Sequence, residues 1–164
     1  MQFAAIPAGE SGVRMGNPDK PKQFFFLWDK PILVHTLEKF CAAGCFDKVL
    51  VLTPATWVKQ TRDIVAKHCP QYIDQVEVIA GGDERNDTIM NAIAYIEREG
   101  KLDEDTLIVT HDAVRPFVTY RIIEENIQAA RRCGACDTVI PATDTTLPRR
   151  EGSVHSDIPN RSVL

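Results

Sequence analysis

Residues 12–23 read GVRMGNPDKPKQ, and the rest of the chain is organised around this stretch. It follows a short apolar run, residues 3–6, which has the composition of a buried first β-strand. Two glycines and two prolines within ten residues oppose regular structure, so the chain must turn here. Arg14, Lys20 and Lys22 place three cations in this turn.

A loop at the carboxyl end of the first strand of an α/β sheet is a common place for a ligand. Backbone N–H groups freed by glycine, together with arginine and lysine side chains, suit a polyphosphate. The stretch is not a P-loop, because no Gly-Lys-Ser/Thr sequence follows four residues after a glycine. The alternative is a solvated basic turn without a ligand.

Length and composition narrow the class of protein. The 164 residues, of which 44% are hydrophobic, predict one globular unit with a sizeable core. The net charge of −4, with no basic stripe outside the first loop, argues against nucleic acid as a partner. No apolar run approaches the ~20 residues that span a membrane, and no secretory signal begins the chain. We therefore predict a cytoplasmic protein without a membrane or nucleic-acid partner.

The five cysteines do not form the pattern of a disulfide framework. Cys133 and Cys136 have C-x-x-C spacing, but no second pair completes a zinc site. A redox motif should begin a helix, whereas Cys133 is expected at a helix end. We predict that the thiols are buried or partly buried.

Strands and helices alternate along the chain. Apolar runs predict strands at residues 3–6, 49–52, 76–80, 106–109 and 138–140. Helices are predicted to begin at Pro31, after Pro54, near Asn86 and after Thr119. This alternation predicts an α/β fold with a doubly wound, mostly parallel sheet and right-handed crossovers.

From residue 141 the chain changes character. Residues 150–153, Arg-Glu-Gly-Ser, lie between two extended segments and predict a β-hairpin. Such a hairpin has little apolar content and is not stable alone, so a partner subunit is the expected support. We predict two units: residues 1–142 as a nucleotide-binding α/β domain, and residues 143–164 as an incomplete extended dimerisation arm.

Two further segments follow predicted strands. Residues 81–91 read GGDERNDTIMN, where two glycines allow close backbone approach and a helix N-terminus favours an anion or a ribose-bound polar group. Residues 111–116 read HDAVRP, where Asp112 suits a ribose hydroxyl or a Mg²⁺ ion carried by phosphates. The alternatives are an ordinary strand–helix turn and a loop carboxylate.

The loops after the first, third and fourth predicted strands converge on one edge of the sheet. They supply Arg14, Lys22, Asp83, Arg85, Thr88, Asp112 and Arg115. No serine or cysteine lies in a nucleophile motif with a matching histidine. The pocket therefore predicts positioning and charge stabilisation, which phosphoryl or nucleotidyl transfer chiefly requires.

Four motifs in this order carry a resemblance. R-M-G, P-K-Q-F, G-G-x-x-R-x-x-[ST]-[IV]-x-N and H-D-A-x-R-P resemble the alditol-phosphate cytidylyltransferase family over nearly the whole chain. One branch makes CDP-ribitol from ribitol 5-phosphate for teichoic acid or capsule. The other uses 2-C-methyl-D-erythritol 4-phosphate for isoprenoids. Thr88-Ile89 and Ala113-Val114-Arg115 are more similar to the ribitol branch.

The chain departs from the family pattern in three places. Glu10 stands where the family has a second glycine, and Pro7 precedes Ala8. The family's T-P-Q motif and the segment after it are missing, so the chain resembles a C-terminally shortened member.

The resemblance implies a Rossmann-like nucleotide-diphospho-sugar transferase fold, a homodimer with a β-hairpin arm, and Mg²⁺ as cofactor. It implies that Arg14 and Lys22 are catalytic, holding the CTP phosphates. The implied nucleotide-binding residues are Ala8, Gly9, Gly12, Gly82, Asp83, Arg85, Thr88 and Asp112. The implied acceptor-binding residues are Arg115, Thr145 and Arg161. Asp112 is the candidate metal ligand, although Mg²⁺ is expected mainly on the CTP phosphates.

The predicted reaction transfers CMP from CTP to an alditol phosphate and releases pyrophosphate. Ribitol 5-phosphate is the favoured acceptor. The alternatives are 2-C-methyl-D-erythritol 4-phosphate and a non-catalytic fragment that binds CTP and dimerises.

Overall fold

The computed structural model describes residues 1–9 and 20–139, and the backbone of two short strands between residues 149 and 154. The strands are β1 Gln2–Pro7, β2 Phe26–Leu27, β3 Lys30–Pro31, β4 Lys48–Thr53, β5 Val76–Ala80, β6 Leu107–Thr110, β7 Arg149–Arg150 and β8 Ser153–Val154. The helices are α1 Ile32–Ala42, α2 Val58–His68, α3 Arg85–Arg98 and α4 Tyr120–Cys133.

The central sheet has four parallel strands in the order β5-β4-β1-β6. In its register Ala5 of β1 lies opposite Leu50 of β4 and Thr110 of β6. Continuous apolar runs such as that of β4 are typical of parallel strands buried on both faces. The predicted parallel α/β sheet is confirmed.

Helices cover both faces of the sheet. On one face α1, α2 and α4 pack through residues such as Leu33, Val65 and Ile123. On the other face Ala92 and Ile96 of α3 pack against the sheet. This two-sided arrangement confirms the doubly wound fold. The helices cover the faces of the sheet, and the carboxyl ends of the strands continue into loops.

Two local predictions are wrong. Thr138 and Val139, the described part of the predicted fifth strand, lie outside any strand. There the Asn126 amide donates to the Thr138 hydroxyl at 2.6 Å, a contact that a three-residue apolar run does not reveal. After Pro54 the chain forms a 3₁₀ turn, Ala55–Trp57, before α2 begins.

The predicted hairpin is confirmed in its pairing. Arg149 lies opposite Val154 and Arg150 opposite Ser153 in an antiparallel pair. The division at residues 142 and 143 and the dimer arm remain predictions. No helix among the described residues is long and apolar enough to cross a membrane.

The five cysteines differ in exposure, and Cys45 is half-buried. Cys41 and Cys69 are buried, and burial raises their pKa values to about 12 and about 11. Cys133 and Cys136 are exposed, so the prediction that they are buried or partly buried is wrong. The reason is that α4 ends with Cys133 at the surface, and Gly134 turns the chain outwards with φ +82°.

Candidate active site

The carboxyl ends of β1, β5 and β6, and the described starts of the loops that follow them, lie at the same edge of the sheet. The register places Pro7 beside Leu52 and Thr53 beside Ala80, so the carboxyl ends of neighbouring strands are level. A cavity of about 820 Å³ has Arg85, Asp112 and Arg115 in its lining, and so joins the loops after β5 and β6. The site therefore occupies the position where open parallel sheets bind ligands.

The turn after β5 is built around a glycine that cannot be replaced without movement. A Cβ added at Gly82 would lie 2.2 Å from the Asp87 Cβ and 2.8 Å from the Asp87 carbonyl carbon. The Gly82 N–H donates to the Thr88 hydroxyl at 3.0 Å, and this hydroxyl donates to the Glu84 carbonyl at 3.0 Å. Thr88 is buried and shapes the turn, rather than facing an open nucleotide site.

The N-terminus of α3 completes this turn. Glu84 and Asp87 form a reciprocal capping box, in which the Glu84 N–H donates to the Asp87 carboxylate at 3.2 Å. Asp83 is exposed on the same turn. A helix N-terminus favours an anionic or polar ligand group beside this turn.

Asp112 joins the loops after β5 and β6 through two arginines. Its Oδ1 lies 2.6 Å from a terminal nitrogen of Arg85, and its Oδ2 lies 2.7 Å from Nε of Arg115. Burial alone would raise the pKa of this carboxyl, but the Arg85 hydrogen bond and the two positive charges outweigh it and lower the pKa. The carboxylate is therefore ionised at neutral pH, and guanidinium groups contact both of its oxygens.

This arrangement does not fit the predicted role of Asp112 as a metal ligand. Both oxygens that could bind a hard cation already accept from guanidinium groups. Within the part of the chain that the structure describes, no group of three or more His, Cys, Asp or Glu side chains could hold a metal ion.

Three hydrogen bonds hold the loop after β6 against β1 and α1. The N–H groups of His111 and Ala113 donate to the carbonyls of Ala5 and Pro7 at 3.0 and 3.1 Å. The buried hydroxyl of Thr36 on α1 donates to the Ala113 carbonyl at 2.8 Å. These contacts fix the loop that carries Asp112, and the residue type and spacing of Thr36 gave no signal of this role.

His111 supports the same loop from within. Its ring packs against Phe40 at 5.1 Å between centroids, and its Nε2 lies 3.0 Å from the Arg115 carbonyl oxygen. The ring is thus engaged by the protein, which fits a holding role better than that of a general base.

The first loop is described at both ends. Ala8 is buried and donates to the Leu52 carbonyl at 2.7 Å, while a Cβ added at Gly9 meets no atom within 4 Å. Lys22 begins a 3₁₀ turn, Lys22–Phe24, and the Gln23 amide next to it donates to the Ala8 carbonyl at 2.5 Å. Lys22 and Ala8, both predicted site residues, are thereby brought together.

Four predicted site residues lie outside the described residues. They are Gly12, Arg14, Thr145 and Arg161. Their implied roles remain predictions.

Comparison with known proteins agrees with this geometry. The family model described as IspD: 2-C-methyl-D-erythritol 4-phosphate cytidylyltransferase matches residues 3–164. This description names the methylerythritol branch, and it does not support the preference for ribitol 5-phosphate drawn from the motif residues.

Solved structures show the same fold at low sequence identity. The 4-diphosphocytidyl-2C-methyl-D-erythritol synthase from Anaerococcus prevotii is 22% identical with a TM-score of 0.75, covering 98% of this chain and 64% of its own. A second such synthase is 24% identical with a TM-score of 0.72, covering 99% and 70%. The bifunctional IspDF from Campylobacter jejuni is 18% identical with a TM-score of 0.69, covering 89% and 35%.

The chain thus spans slightly less than two thirds of the Anaerococcus protein's length. The match to the family model nevertheless covers residues 3–164, a range that includes all four motifs. The chain therefore belongs to the IspD family of 2-C-methyl-D-erythritol 4-phosphate cytidylyltransferases.

Proposed function

We propose that the protein transfers CMP from CTP to 2-C-methyl-D-erythritol 4-phosphate and releases pyrophosphate. The observation that carries this proposal is the family match over residues 3–164. The described motif residues after β5 and β6, among them Arg85, Asp112 and Arg115, share one cavity at the edge of the sheet, and this supports the proposal. CTP and the sugar-alcohol phosphate are then the small-molecule partners.

The chemistry required is an in-line displacement. A phosphate oxygen of the acceptor attacks the α-phosphorus of CTP, and the bond from that phosphorus to the bridging oxygen of the β-phosphate breaks. Pyrophosphate leaves with the electron pair. Lys22 and Arg14 stabilise the negative charge that grows on the phosphate oxygens, without any covalent enzyme intermediate.

Mg²⁺ accompanies CTP in this proposal. Because the Asp112 carboxylate is paired with two arginines, the phosphates of the nucleotide are the better ligands for the ion. The protein's own residues then bind and orient the charged triphosphate.

The base and ribose lie against the turn after β5. The N-terminus of α3 favours an anionic or polar ligand group, and Asp83 is exposed beside it. A pocket that hydrogen-bonds a base edge rejects analogues that leave its groups unpaired, by up to ~10⁴-fold. CTP is therefore the nucleotide expected.

The acceptor phosphate lies near Arg115, whose side chain is 71% exposed in the cavity lining. Thr145 of the same chain and Arg161 of the partner subunit in a homodimer complete this part of the site. These two residues and the dimer rest on the family resemblance.

Pyrophosphate release with CTP tests the proposal against its two competitors. We expect a higher kcat/KM with 2-C-methyl-D-erythritol 4-phosphate than with ribitol 5-phosphate. A higher value with ribitol 5-phosphate would assign the protein to the other branch. Binding of CTP by calorimetry without turnover of either acceptor would instead support a non-catalytic nucleotide-binding fragment.

A further inference from the structure

We propose that Gln23 is a positioning residue that fixes Lys22 relative to the end of β1. The inference rests on the proposed function, because it assigns Lys22 to the triphosphate. Gln23 follows Lys22 directly, is 0% exposed, and donates from Nε2 to the Ala8 carbonyl at 2.5 Å. It cannot touch the substrate, so any effect on turnover must pass through its neighbours.

Packing alone does not explain a glutamine at this position. Glutamine is seldom fully buried, and a buried amide needs partners for its donor and its acceptor. Among the described residues, Gln23 Oε1 is one of two buried side-chain atoms without a hydrogen-bond partner. An apolar side chain of equal length would fill the same space without an unpaired acceptor. What the amide adds is its bond to Ala8.

That bond links the lysine turn to the sheet. Ala8 is itself fixed, because its N–H donates to the Leu52 carbonyl at 2.7 Å. On the other side of the turn, the Phe24 ring packs against Trp57 at 5.1 Å between centroids. The short turn that begins at Lys22 is thus anchored at two points, and Gln23 supplies the one that reaches the end of β1.

The anchoring of this turn determines where the Lys22 backbone lies. A lysine side chain has a flexible stem, so the protein controls its ammonium group chiefly by placing its backbone. A displacement of about 1 Å in a group that contacts the reacting atoms can lower a rate about 10²-fold. Gln23 therefore acts on the reaction by holding the Lys22 backbone in register with Ala8.

The replacement Gln23→Met tests this role with little change in packing. It removes the unpaired Oε1 and leaves the Ala8 carbonyl without its donor, so the count of unpaired buried groups is unchanged. We expect a small change in melting temperature, a fall in kcat of about 10²-fold with CTP, and a smaller rise in KM for CTP.

A double-mutant cycle with Lys22→Ala separates positioning from general damage. If Gln23 acts through Lys22, adding Gln23→Met to Lys22→Ala should lower kcat/KM less than threefold further. If Gln23→Met lowers kcat/KM by the same factor in the Lys22→Ala variant as in the wild type, the proposal is overturned.

Gln75→Met is the matched control. The half-buried Gln75 amide also donates to a backbone carbonyl, that of Phe46, at 2.9 Å. Gln75 directly precedes β5, at the edge of the sheet opposite the candidate site, so this replacement should leave kcat/KM unchanged.

Gln23→Glu provides a second measurement. An ionised carboxylate cannot donate to the Ala8 carbonyl, whereas a protonated one can. The ratio of variant to wild-type kcat/KM should therefore rise as pH falls, and a flat ratio would count against the proposal.

Wild-type protein that neither binds nor turns over CTP would refute the proposed function. If the kcat of Gln23→Met lies within threefold of the wild-type kcat, only the role of Gln23 is refuted.

Discussion

Asp112 and two arginines set the charge at the mouth of the candidate site. Together with Arg85 and Arg115, Asp112 leaves one net positive charge across the loops after β5 and β6. Both arginines are more than half exposed, so water screens each pair and limits its contribution to stability. The main effect of the carboxylate is to orient the two guanidinium groups rather than to hold the fold together.

The replacement Asp112→Asn should show this through pH. The folded-state pKa of Asp112 is lowered below its ordinary value of 3.8, so its contribution to stability is present above that value. The contribution is lost as pH falls through the lower, folded-state pKa. Near pH 7 we expect the free energy of unfolding of the wild-type protein to exceed that of the variant by about 1 kcal/mol, which corresponds to about 2–4 °C in Tm.

Thermal unfolding of both proteins from pH 7 down to acid gives the comparison. The difference in Tm should shrink below pH 3.8. A difference that stays constant with pH would mean that the ion pairs do not form as described.

Lys22 is the residue on which turnover should depend most among those that the structure describes. Losing one preorganised contact to the developing charge lowers a rate by about 10²–10³, or about 2.7–4 kcal/mol. We expect Lys22→Ala to reduce kcat/KM by this factor with little change in Tm, and Arg14→Ala to behave alike. Lys67→Ala, at an exposed position on α2, is the charge-matched control. Turnover that survived both site replacements within a few-fold would contradict the proposed phosphate contacts.

At the scale of elements, the turn between β5 and α3 is held by its own contacts, and we predict that it also binds the nucleotide. Its glycine, its threonine hydroxyl and its capping box form one set of contacts between Gly82 and Thr88. An atom added at Gly82 would collide with Asp87, which also caps α3. Any change there must therefore move the helix N-terminus.

Gly82→Ala should lower stability and CTP affinity together. Overpacking of this kind typically costs about 1–3 kcal/mol, which thermal unfolding would detect. Gly9→Ala is the useful contrast, because an added Cβ there meets no protein atom within 4 Å. We expect it to leave Tm unchanged and to weaken CTP binding in calorimetry. Equal behaviour of the two variants would show that the β5–α3 turn has no special role.

The strong elements were predictable because their signals are local. The apolar run of β4, the Thr119 cap and the glycine after α4 each lie within a few residues of the element that they define. Thr138 and Val139 had only a three-residue run as a signal, and in the folded chain Thr138 accepts from the Asn126 amide instead of pairing in a strand.

The supporting side chains were not predictable, because their partners are distant in sequence. Gln23 and Ala8 are 15 residues apart, and Thr36 and Ala113 are 77 apart. The pairing of Asp112 with Arg85, across 27 residues, was hidden for the same reason. Motifs predicted which loops form the candidate site, while the contacts that hold the described parts of those loops depend on the folded chain.

For the whole molecule, the open question is how the residues after the α/β domain are supported. β7 and β8 have two residues each, and an isolated two-stranded hairpin is marginal in water. Ordering backbone requires roughly 1–2 kcal/mol per residue, which a segment poor in large apolar side chains does not recover alone. A second copy of the chain, related by a two-fold axis, would provide the same surface to both arms.

Deleting residues 147–164 tests this arrangement directly. We expect the shortened protein to be monomeric in sedimentation equilibrium, to keep most of its CTP affinity, and to lose acceptor turnover. CTP affinity should survive because the loops after β1, β5 and β6 remain intact. Arg161→Ala in the undeleted chain is the matched variant, and it should keep the dimer while losing acceptor turnover. A deletion variant that remains dimeric would place the association surface elsewhere, and retained turnover in either variant would exclude Arg161 as a required contact across the dimer.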